Sequence, residues 1–133
     1  MEFAPEMNQL EKFTLEFHIE ASPKLLFKMI STPEGLTRWF ANTTLKGENL
    51  FSFKWHDNIQ LARLVQSKEN DFVVFQWQED YHKGMFLEMR ITTEFDSTGA
   101  TLVVTDVAEP GEIDLSKRLW SSQVGQLKRL FKS

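Results

Sequence analysis

The sequence contains no cysteine, and this absence excludes several kinds of chemistry at once. Without thiols there is no disulfide, no thiolate nucleophile and no cysteine-based zinc site. Long apolar runs are also missing, since no stretch approaches the roughly 18 to 20 residues that a membrane-spanning helix requires. The first residues lack a basic segment followed by an apolar one, so no secretory signal is predicted. We therefore expect a cytoplasmic protein.

Positive charge is scarce as well, because 15 Lys and Arg are outnumbered by 19 Asp and Glu, for a net charge of −4. Binding to a phosphate backbone draws most of its affinity from Lys and Arg, so nucleic acid is a poor candidate partner. The sequence shows no Gly-rich phosphate loop, nucleophile elbow, Ser-His-Asp order or paired inward carboxylates. These absences favour a protein that is not an enzyme and that uses no cofactor and no metal.

Aromatic residues are the abundant feature, with twelve Phe and four Trp but only one Tyr. An apolar content of 41% and a charged content of 26% are typical of a globular protein. At 133 residues, the chain is predicted to form one domain, residues 1–133, with a core that needs no disulfides. So many rings require either a wide core or the wall of a cavity.

Alternation of apolar and polar residues predicts strands along most of the chain. The strands are expected at residues 12–21, 51–56, 59–67, 73–77, 87–95 and 102–107, with turn residues between them. Consecutive strands joined by short turns must pair as an antiparallel meander. The apolar face of such a sheet needs a cover from another element.

Three helices are predicted around this sheet. Ser22-Pro23 and Thr32-Pro33 each place a capping hydroxyl before a proline, which predicts two short helices, the second over residues 34–40. After Gly111, apolar residues recur at spacings of three and four, which predicts a long amphipathic helix. Its apolar stripe comprises Leu119, Trp120, Val124, Leu127, Leu130 and Phe131. We expect an α+β fold in which a curved antiparallel sheet surrounds this C-terminal helix.

Two segments carry a resemblance to a known family. Residues 22–27 (SPKLLF) and 30–41 (ISTPEGLTRWFA) resemble the signature of bacterial START-like domains. These are relatives of the activator of Hsp ATPase within the START/birch-pollen-allergen superfamily, also called SRPBCC. Leu119-Trp120 with Leu127 and Leu130 is similar to the last helix of that family. The resemblance spans residues 12–131.

What the resemblance implies is a helix-grip fold with an apolar cavity between the sheet and the long helix. Members of the superfamily use this cavity for lipids, sterols, polyketides or aromatic compounds, or use their surface for protein partners. The family does not share one catalytic set, so the resemblance assigns no catalytic residue to this chain.

Inward-facing rings and their neighbours are the candidate ligand contacts. The predicted ligand-binding set comprises Trp39, Phe40, Phe53, Trp55, Phe75, Trp77, Met89, Asp106 and Trp120. The alternative for each ring is plain core packing, because protein interiors are dense. Trp39 and Phe40 form either a side wall of the pocket or a wedge that holds the short helices on the sheet. Because so many bulky side chains share one face, any cavity is expected to be small and its ligand compact and apolar.

The turns at 57–58, 79–84 and 106–112 are expected at one end of the sheet, because alternate turns of a meander share an end. This rim would gather His56, Asp57, Asp80, Tyr81, His82, Asp106, Glu109 and Glu112. One interpretation is a polar mouth or a weak divalent-cation site, and the other is a set of ordinary solvated loop residues. The favoured interpretation is the second.

Asp106 is the exception within the rim. It shares its strand parity with Leu102 and Val104, so its side chain is expected to point inward. A buried carboxylate must find a partner or shift its pKa. The favoured role is to cap backbone N–H groups at the start of the last helix, and the alternative is to hold a polar atom of a ligand.

Two functions stay open from the sequence. The favoured one is a non-catalytic binding domain with a small apolar cavity for a hydrophobic small molecule. The other is a protein-interaction or co-chaperone-like domain that presents the basic outer face of the last helix, Lys117, Arg118, Lys128 and Arg129. A homodimer through a sheet edge or the last helix is compatible with both. A cyclase-like enzyme that uses Tyr81, His82 and Asp106 is the least favoured interpretation.

Overall fold

The computed structural model describes residues 10–79, 82–94 and 98–132. The strands are β1 Glu11–Ile19, β2 Asn42–Gly47, β3 Leu50–Trp55, β4 Asn58–Lys68, β5 Phe72–Trp77, β6 Phe86–Thr92 and β7 Ala100–Ala108. The helices are α1 Pro23–Ser31, α2 Pro33–Thr37 and α3 Ile113–Leu130, and a 3-10 turn, Pro110–Glu112, precedes α3. This order confirms the predicted succession of a strand, two short helices, a run of strands and a long helix.

All seven strands belong to one antiparallel sheet in the order β1-β7-β6-β5-β4-β3-β2. Strands β2 to β7 form a meander, and β1 closes it by pairing with β7, from Glu11 opposite Ala108 to Ile19 opposite Ala100. Helix α3 lies against β1 and β7 and buries Trp120, Val124 and Leu127. The curved antiparallel sheet with its long C-terminal helix is the predicted helix-grip fold.

Both short helices begin as the sequence predicts. The Ser22 hydroxyl accepts a hydrogen bond from the Leu25 N–H at 3.2 Å, and the Thr32 hydroxyl accepts one from the Gly35 N–H at 3.0 Å. The second helix ends at Thr37 rather than at residue 40. Beyond it the chain forms hydrogen-bonded turns, in which the Phe40 N–H bonds the Leu36 carbonyl at 2.8 Å. These turns bring Phe40 into the core.

One strand was not predicted, and another is shorter than expected. Strand β2 is an edge strand that pairs only with β3, and Thr43 is the one buried residue in it. Since β2 has almost no buried face, its sequence (NTTLKG) lacks the apolar alternation that reveals a strand. Strand β6 ends at Thr92, and Phe95, the predicted end of this strand, lies outside the described residues.

A close-packed region, here called the closed core, fills most of the space between the sheet and the helices. Its large side chains have no measurable exposure and comprise Phe53, Phe75, Ile19, Leu26, Ile30, Leu36, Leu87, Met89, Leu102, Leu127, Val73 and Val104. The predicted apolar stripe of α3 joins this core, with the exception of Leu119, which is 57% exposed. That exception marks the place where close packing stops.

Candidate functional site

A cavity of about 450 Å³ lies between the sheet and α3. The residues around this grip cavity are Phe40, Trp55, His56, Asn58, Gln60, Trp77, His82, Asp106, Val107, Ser116, Leu119, Trp120 and Gln123. Among the described residues, four Phe and Trp rings (Phe40, Trp55, Trp77 and Trp120) form part of its wall, and seven polar or titratable side chains are interspersed among them. Exposed residues such as His56 and Leu119 stand at its mouth.

The sheet topology explains why these residues meet. Strands β3 and β5 end at Trp55 and Trp77, whereas β4 begins at Asn58, directly opposite Trp55. Asp106 lies near the end of β7. In an antiparallel meander these ends coincide, and the start of α3 follows β7 at the same place. The prediction that these turns lie at one end of the sheet is confirmed for the residues that the structure describes.

Asp106 points inward, as its parity predicted, and its carboxylate is held by two indoles. Trp120 Nε1 donates to Oδ2 at 3.1 Å, and Trp77 Nε1 donates to Oδ1 at 3.4 Å. A hydrogen bond from the backbone of Val107 adds to these contacts. Burial nevertheless raises the pKa of Asp106 from 3.8 to about 6, and the hydrogen bonds oppose this shift only in part. Asp106 as a residue is partly exposed, and its side chain lines the cavity.

The expected capping role of Asp106 is wrong. The N-cap of α3 is Glu112, and no side chain of the described residues caps this helix start. Residues 109–112 are exposed, so water can reach the free N–H groups at this helix start. Trp77 and Trp120 are buried, and a buried indole N–H needs an acceptor. The carboxylate therefore serves the indoles rather than the helix.

Phe40 organises the opposite wall. Its ring stacks on Trp120 with centroids 5.2 Å apart and meets the edges of Trp55 and Phe53 at 5.2 and 5.1 Å. Its carbonyl accepts hydrogen bonds from Trp55 Nε1 at 2.8 Å and from Gln123 Nε2 at 3.0 Å. Both β3 and α3 are thus tied to one residue, which fixes the distance between the sheet and the helix at the cavity.

His82 forms part of the polar rim and is only 7% exposed. Its ring stacks on Trp77 with centroids 4.5 Å apart, and Nδ1 lies 3.0 Å from the Glu79 carbonyl. A carbonyl oxygen can only accept, so Nδ1 carries a proton in this arrangement. The neutral ring then has Nε2 as its acceptor atom.

Five residues of the predicted ligand-binding set line the cavity: Phe40, Trp55, Trp77, Asp106 and Trp120. The other four lie elsewhere: Phe53, Phe75 and Met89 have no exposure in the closed core, and Trp39 is 5% exposed. The Trp39 indole donates to the Met29 carbonyl at 2.8 Å, which ties the end of α2 to α1 and favours the wedge interpretation. Direct contact of any of these residues with a ligand stays a prediction.

Several cavity residues were not singled out from the sequence, namely Asn58, Gln60, Val107, Ser116 and Gln123. Gln60 is buried on the inner face of β4, two positions before Ala62. The alternation that places it there was hard to assign from the sequence, because the apolar residues Ile59 and Val65 are exposed. The residues of α3 carried no signal, since a polar residue beside an apolar stripe usually faces water.

The other rim residues do not form a site together. Asp57, Glu109 and Glu112 are exposed and do not line the cavity, whereas Asp80 and Tyr81 lie outside the described residues. Within residues 10–79, 82–94 and 98–132, no group of three or more His, Asp or Glu side chains could hold a metal ion. The cation-site interpretation therefore gains no support from the described residues.

Solved structures similar to this chain share its fold. A protein from Bacteroides fragilis, solved by solution NMR, is 31% identical with a TM-score of 0.59, covering 92% of this chain and 91% of that one. The Aha1 dimer from Colwellia psychrerythraea has a TM-score of 0.75 at 16% identity, with 89% and 93% coverage. A crystal structure from Mesorhizobium loti has a TM-score of 0.74 at 15% identity, with 90% and 96% coverage.

Sequence comparison identifies the family. No curated protein sequence matches the chain. Across the described part of the chain, none of the helices combines the length and hydrophobicity needed to traverse a lipid bilayer. The profile of the START-like superfamily domain matches residues 7–132, nearly the whole sequence. The chain therefore belongs to the START-like superfamily.

Proposed function

We propose that this domain binds a compact hydrophobic small molecule in the grip cavity and does no chemistry on it. The observation that carries this proposal is the cavity itself, whose volume of about 450 Å³ suits a small ligand. Ligand sites are commonly concave spaces of roughly 300 to 1,000 Å³ with mostly apolar walls and a few placed polar groups. The rings around Phe40 supply the walls, and Asp106 supplies a buried polar group.

The wall of the cavity is well prepared for binding. Each of the four indole N–H groups has an acceptor: Trp39 donates to Met29, Trp55 to Phe40, and Trp77 and Trp120 to Asp106. Because the rings are held by these bonds and by mutual stacking, little side-chain freedom remains to be lost on binding. An apolar ligand would then gain its affinity from contact with surfaces that are already in place.

The proposal is tested by filling the cavity from α3. Ser116 lines the cavity, whereas Ser122 on the same helix is exposed and does not. We expect Ser116→Phe to weaken binding of prodan, a neutral naphthalene dye, by about tenfold or more, because the new ring would occupy the space of the ligand. Ser122→Phe is the matched control and should bind like the wild type. Fluorescence titration measures the affinities.

Native mass spectrometry of freshly purified protein provides an independent test. A co-purifying mass that is present in the wild type and absent from Ser116→Phe supports the proposal. Equal dye affinity in the wild type, Ser116→Phe and Ser122→Phe would place the dye outside the cavity and contradict it. A wild type that binds neither dye nor co-purifying molecule would contradict it as well.

Self-association as a homodimer is the second candidate role of this chain, and the outer face of the sheet favours it. A groove of about 360 Å³ on this face is lined by Lys12, Val65, Gln66, Val74, Met85, Phe86, Glu88, Thr105 and Val107. Two of its apolar residues, Val65 and Phe86, are 45% and 49% exposed. A structurally similar protein, Aha1 from Colwellia psychrerythraea, was solved as a dimer. A protein-partner or co-chaperone role for the basic face of α3 stays a prediction.

Sedimentation velocity tests the dimer. We expect the wild type to sediment as a dimer and Phe86→Glu to sediment as a monomer, because a charge in an apolar contact is costly to desolvate. Ile59 is similarly exposed but does not line the groove, so Ile59→Glu is the matched control and should remain dimeric. A wild type that stays monomeric at the highest attainable concentration excludes this candidate.

A further inference from the structure

The grip cavity contains a buried anion that has no cationic partner in the described part of the chain. The Asp106 carboxylate receives hydrogen bonds from Trp77, Trp120 and the Val107 backbone, all of them neutral donors. No Lys, Arg or His of residues 10–79, 82–94 and 98–132 forms an ion pair with it. Buried carboxylates are normally paired with a positive charge, because desolvation of an unpaired charge is costly.

We propose that the ligand class of the grip cavity is a hydrophobic amine, whose ammonium group pairs with Asp106 while its apolar body lies along the aromatic wall. This inference rests on the proposed binding function and specifies the chemistry of its ligand. The carboxylate has about four lone-pair positions, and the three protein donors leave room for one more on the side that faces the cavity.

The charge of the lining distinguishes an amine from the other classes of apolar ligand. Among the described residues around the cavity there is no Lys and no Arg, so a fatty acid or another anion would meet Asp106 without a cation to hold it. A neutral alcohol could donate a hydrogen bond to the carboxylate but would not compensate its charge. An ammonium group does both, and electron-rich indole and phenyl rings also attract cations.

The protonation state of Asp106 agrees with this assignment. Burial raises its pKa to about 6, so the group is predominantly ionised at pH 7 and can act as the counter-charge of an ammonium. The other titratable groups of the described lining are His56 and His82, which come from the turn after β3 and from the segment before β6.

The test compares three probes with the same body, namely 4-phenylbutylamine, 4-phenylbutanol and 4-phenylbutyrate, by isothermal titration calorimetry at pH 7. For the wild type we expect the amine to bind about tenfold more tightly than the alcohol, with the acid weakest, since a charge-assisted hydrogen bond is stronger than a neutral one. In Asp106→Asn the amine should lose this advantage, while the alcohol keeps its affinity.

Asp57→Asn is the matched control. Asp57 carries the same charge at the same end of the sheet but is exposed and does not line the cavity, so this variant should keep the preference for the amine. Circular dichroism verifies that both variants are folded. If Asp106→Asn does not fold, the wild-type series still decides, together with its pH dependence. Amine affinity should fall between pH 7 and pH 5 as Asp106 takes up a proton, and alcohol affinity should not.

The outcomes separate the inference from the function on which it rests. If the wild type binds the alcohol as tightly as the amine, or prefers the acid, the inference is wrong and the cavity remains a site for apolar ligands. If the protein binds none of the three probes and no prodan, the proposed function fails and the inference fails with it. A preference for the amine that survives Asp106→Asn overturns the role of this carboxylate.

Discussion

The inner face of the sheet changes character from one end to the other. Where β1 ends and β7 begins, the inner positions hold side chains such as Ile19, Val73 and Leu102, which have no exposure. At the other end, β5 and β7 present Trp77 and Asp106 to a cavity of about 450 Å³. Both regions belong to one sheet and both contact α3, but at the closed end α1 also packs against β5 and β6 and adds Leu26 and Ile30 to the core.

The difference separates a region that supplies packing stability from a region that encloses open space. Aliphatic and phenyl side chains fill the closed core without polar atoms, which yields dense packing and a large stabilisation. The grip cavity instead uses tryptophans, whose indole N–H groups need acceptors and therefore hold a carboxylate inside the protein. Incomplete packing at this end leaves room for a ligand.

The largest expected effect comes from truncating one leucine in each region. Leu102 has no exposure in the closed core, whereas Leu119 is 57% exposed at the mouth of the cavity. We expect Leu102→Ala to lower the free energy of unfolding by about 4 kcal/mol, because it removes buried methyl groups and leaves a void. Leu119→Ala should change it by less than about 0.5 kcal/mol, as surface substitutions usually do.

Urea denaturation of both variants and the wild type measures this contrast. Similar losses in the two variants would show that the cavity mouth contributes to stability as much as the closed core. The closed core and the cavity mouth would then not differ in how their packing contributes to stability.

The second effect is a pH dependence that only the cavity end should show. The folded state raises the pKa of Asp106 from 3.8 to about 6 and so holds its proton more tightly than the unfolded chain does. The resulting stabilisation is complete below pH 3.8 and is lost as the pH rises through 6. Relative to Asp106→Asn, the wild type should lose up to about 3 kcal/mol of stability over this window.

Denaturation of the wild type and Asp106→Asn at several pH values between 3.5 and 7.5 tests the sign. Because other groups titrate in both proteins, the difference between the two curves isolates Asp106. A difference that grows in favour of the wild type as the pH rises would mean that the carboxylate is stabilised in its charged form. A constant difference would mean that its pKa is unchanged on folding.

Most of the closed core could be predicted from the sequence, because it depends on patterns of neighbouring residues along the chain. Alternation along β1, β3, β5, β6 and β7 placed Phe53, Phe75 and Leu102 inside, and capping hydroxyls before Pro23 and Pro33 located both short helices. Strand β2 was missed for the same reason. It buries only Thr43, and an edge strand without a buried face has no periodic pattern of apolar residues.

The cavity was harder to predict because it depends on contacts between distant elements. Parity on β7 correctly turned Asp106 inward, but its partners lie 29 residues before it and 14 residues after it, on β5 and α3. The nearest N–H groups along the chain are those at the start of the last helix, and the prediction that Asp106 caps them was wrong. The volume of a cavity is the difference between the space that the elements enclose and the volume of the side chains in it. No pattern of residue types predicts this difference.

A close approach between the two short helices gives the third effect. A Cβ atom at Gly35 would lie 2.1 Å from the Lys28 carbonyl oxygen and 2.7 Å from the Met29 Cα. Because both neighbours are backbone atoms, Gly35→Ala must push α1 and α2 apart, and we expect a loss of about 2 kcal/mol in stability. The displacement would reach Trp39, whose indole bonds the Met29 carbonyl.

Gly125 is the matched control, because a Cβ there meets no atom within 4 Å. Within helix α3, Gly125→Ala should stabilise the protein by up to about 1 kcal/mol through helix propensity. Thermal denaturation compares the two variants. A neutral Gly35→Ala would show that the helix pair is loosely packed, and the closed core would then not extend beneath α1.

The smallest effect separates two indoles that lie in contact, with Trp39 and Trp120 ring centroids 6.3 Å apart. Trp39 donates to a carbonyl, which does not titrate, whereas Trp120 donates to the carboxylate of Asp106. Both Trp→Phe variants should lose stability, because each leaves a buried acceptor with one bond fewer. Only the loss in Trp120→Phe should increase from pH 5 to pH 8, by about 1 kcal/mol, as Asp106 ionises.

Urea denaturation at both pH values measures these losses, and the carboxyl carbon of Asp106, followed by NMR, reports its pKa directly. Removal of the Trp120 donor should raise that pKa further above 6, because this hydrogen bond favours the charged form. Trp39→Phe should leave it unchanged. If both variants respond equally to pH, the indole of Trp120 does not stabilise the anion. Burial and the hydrogen bonds from Val107 and Trp77 would then determine the charge state of Asp106.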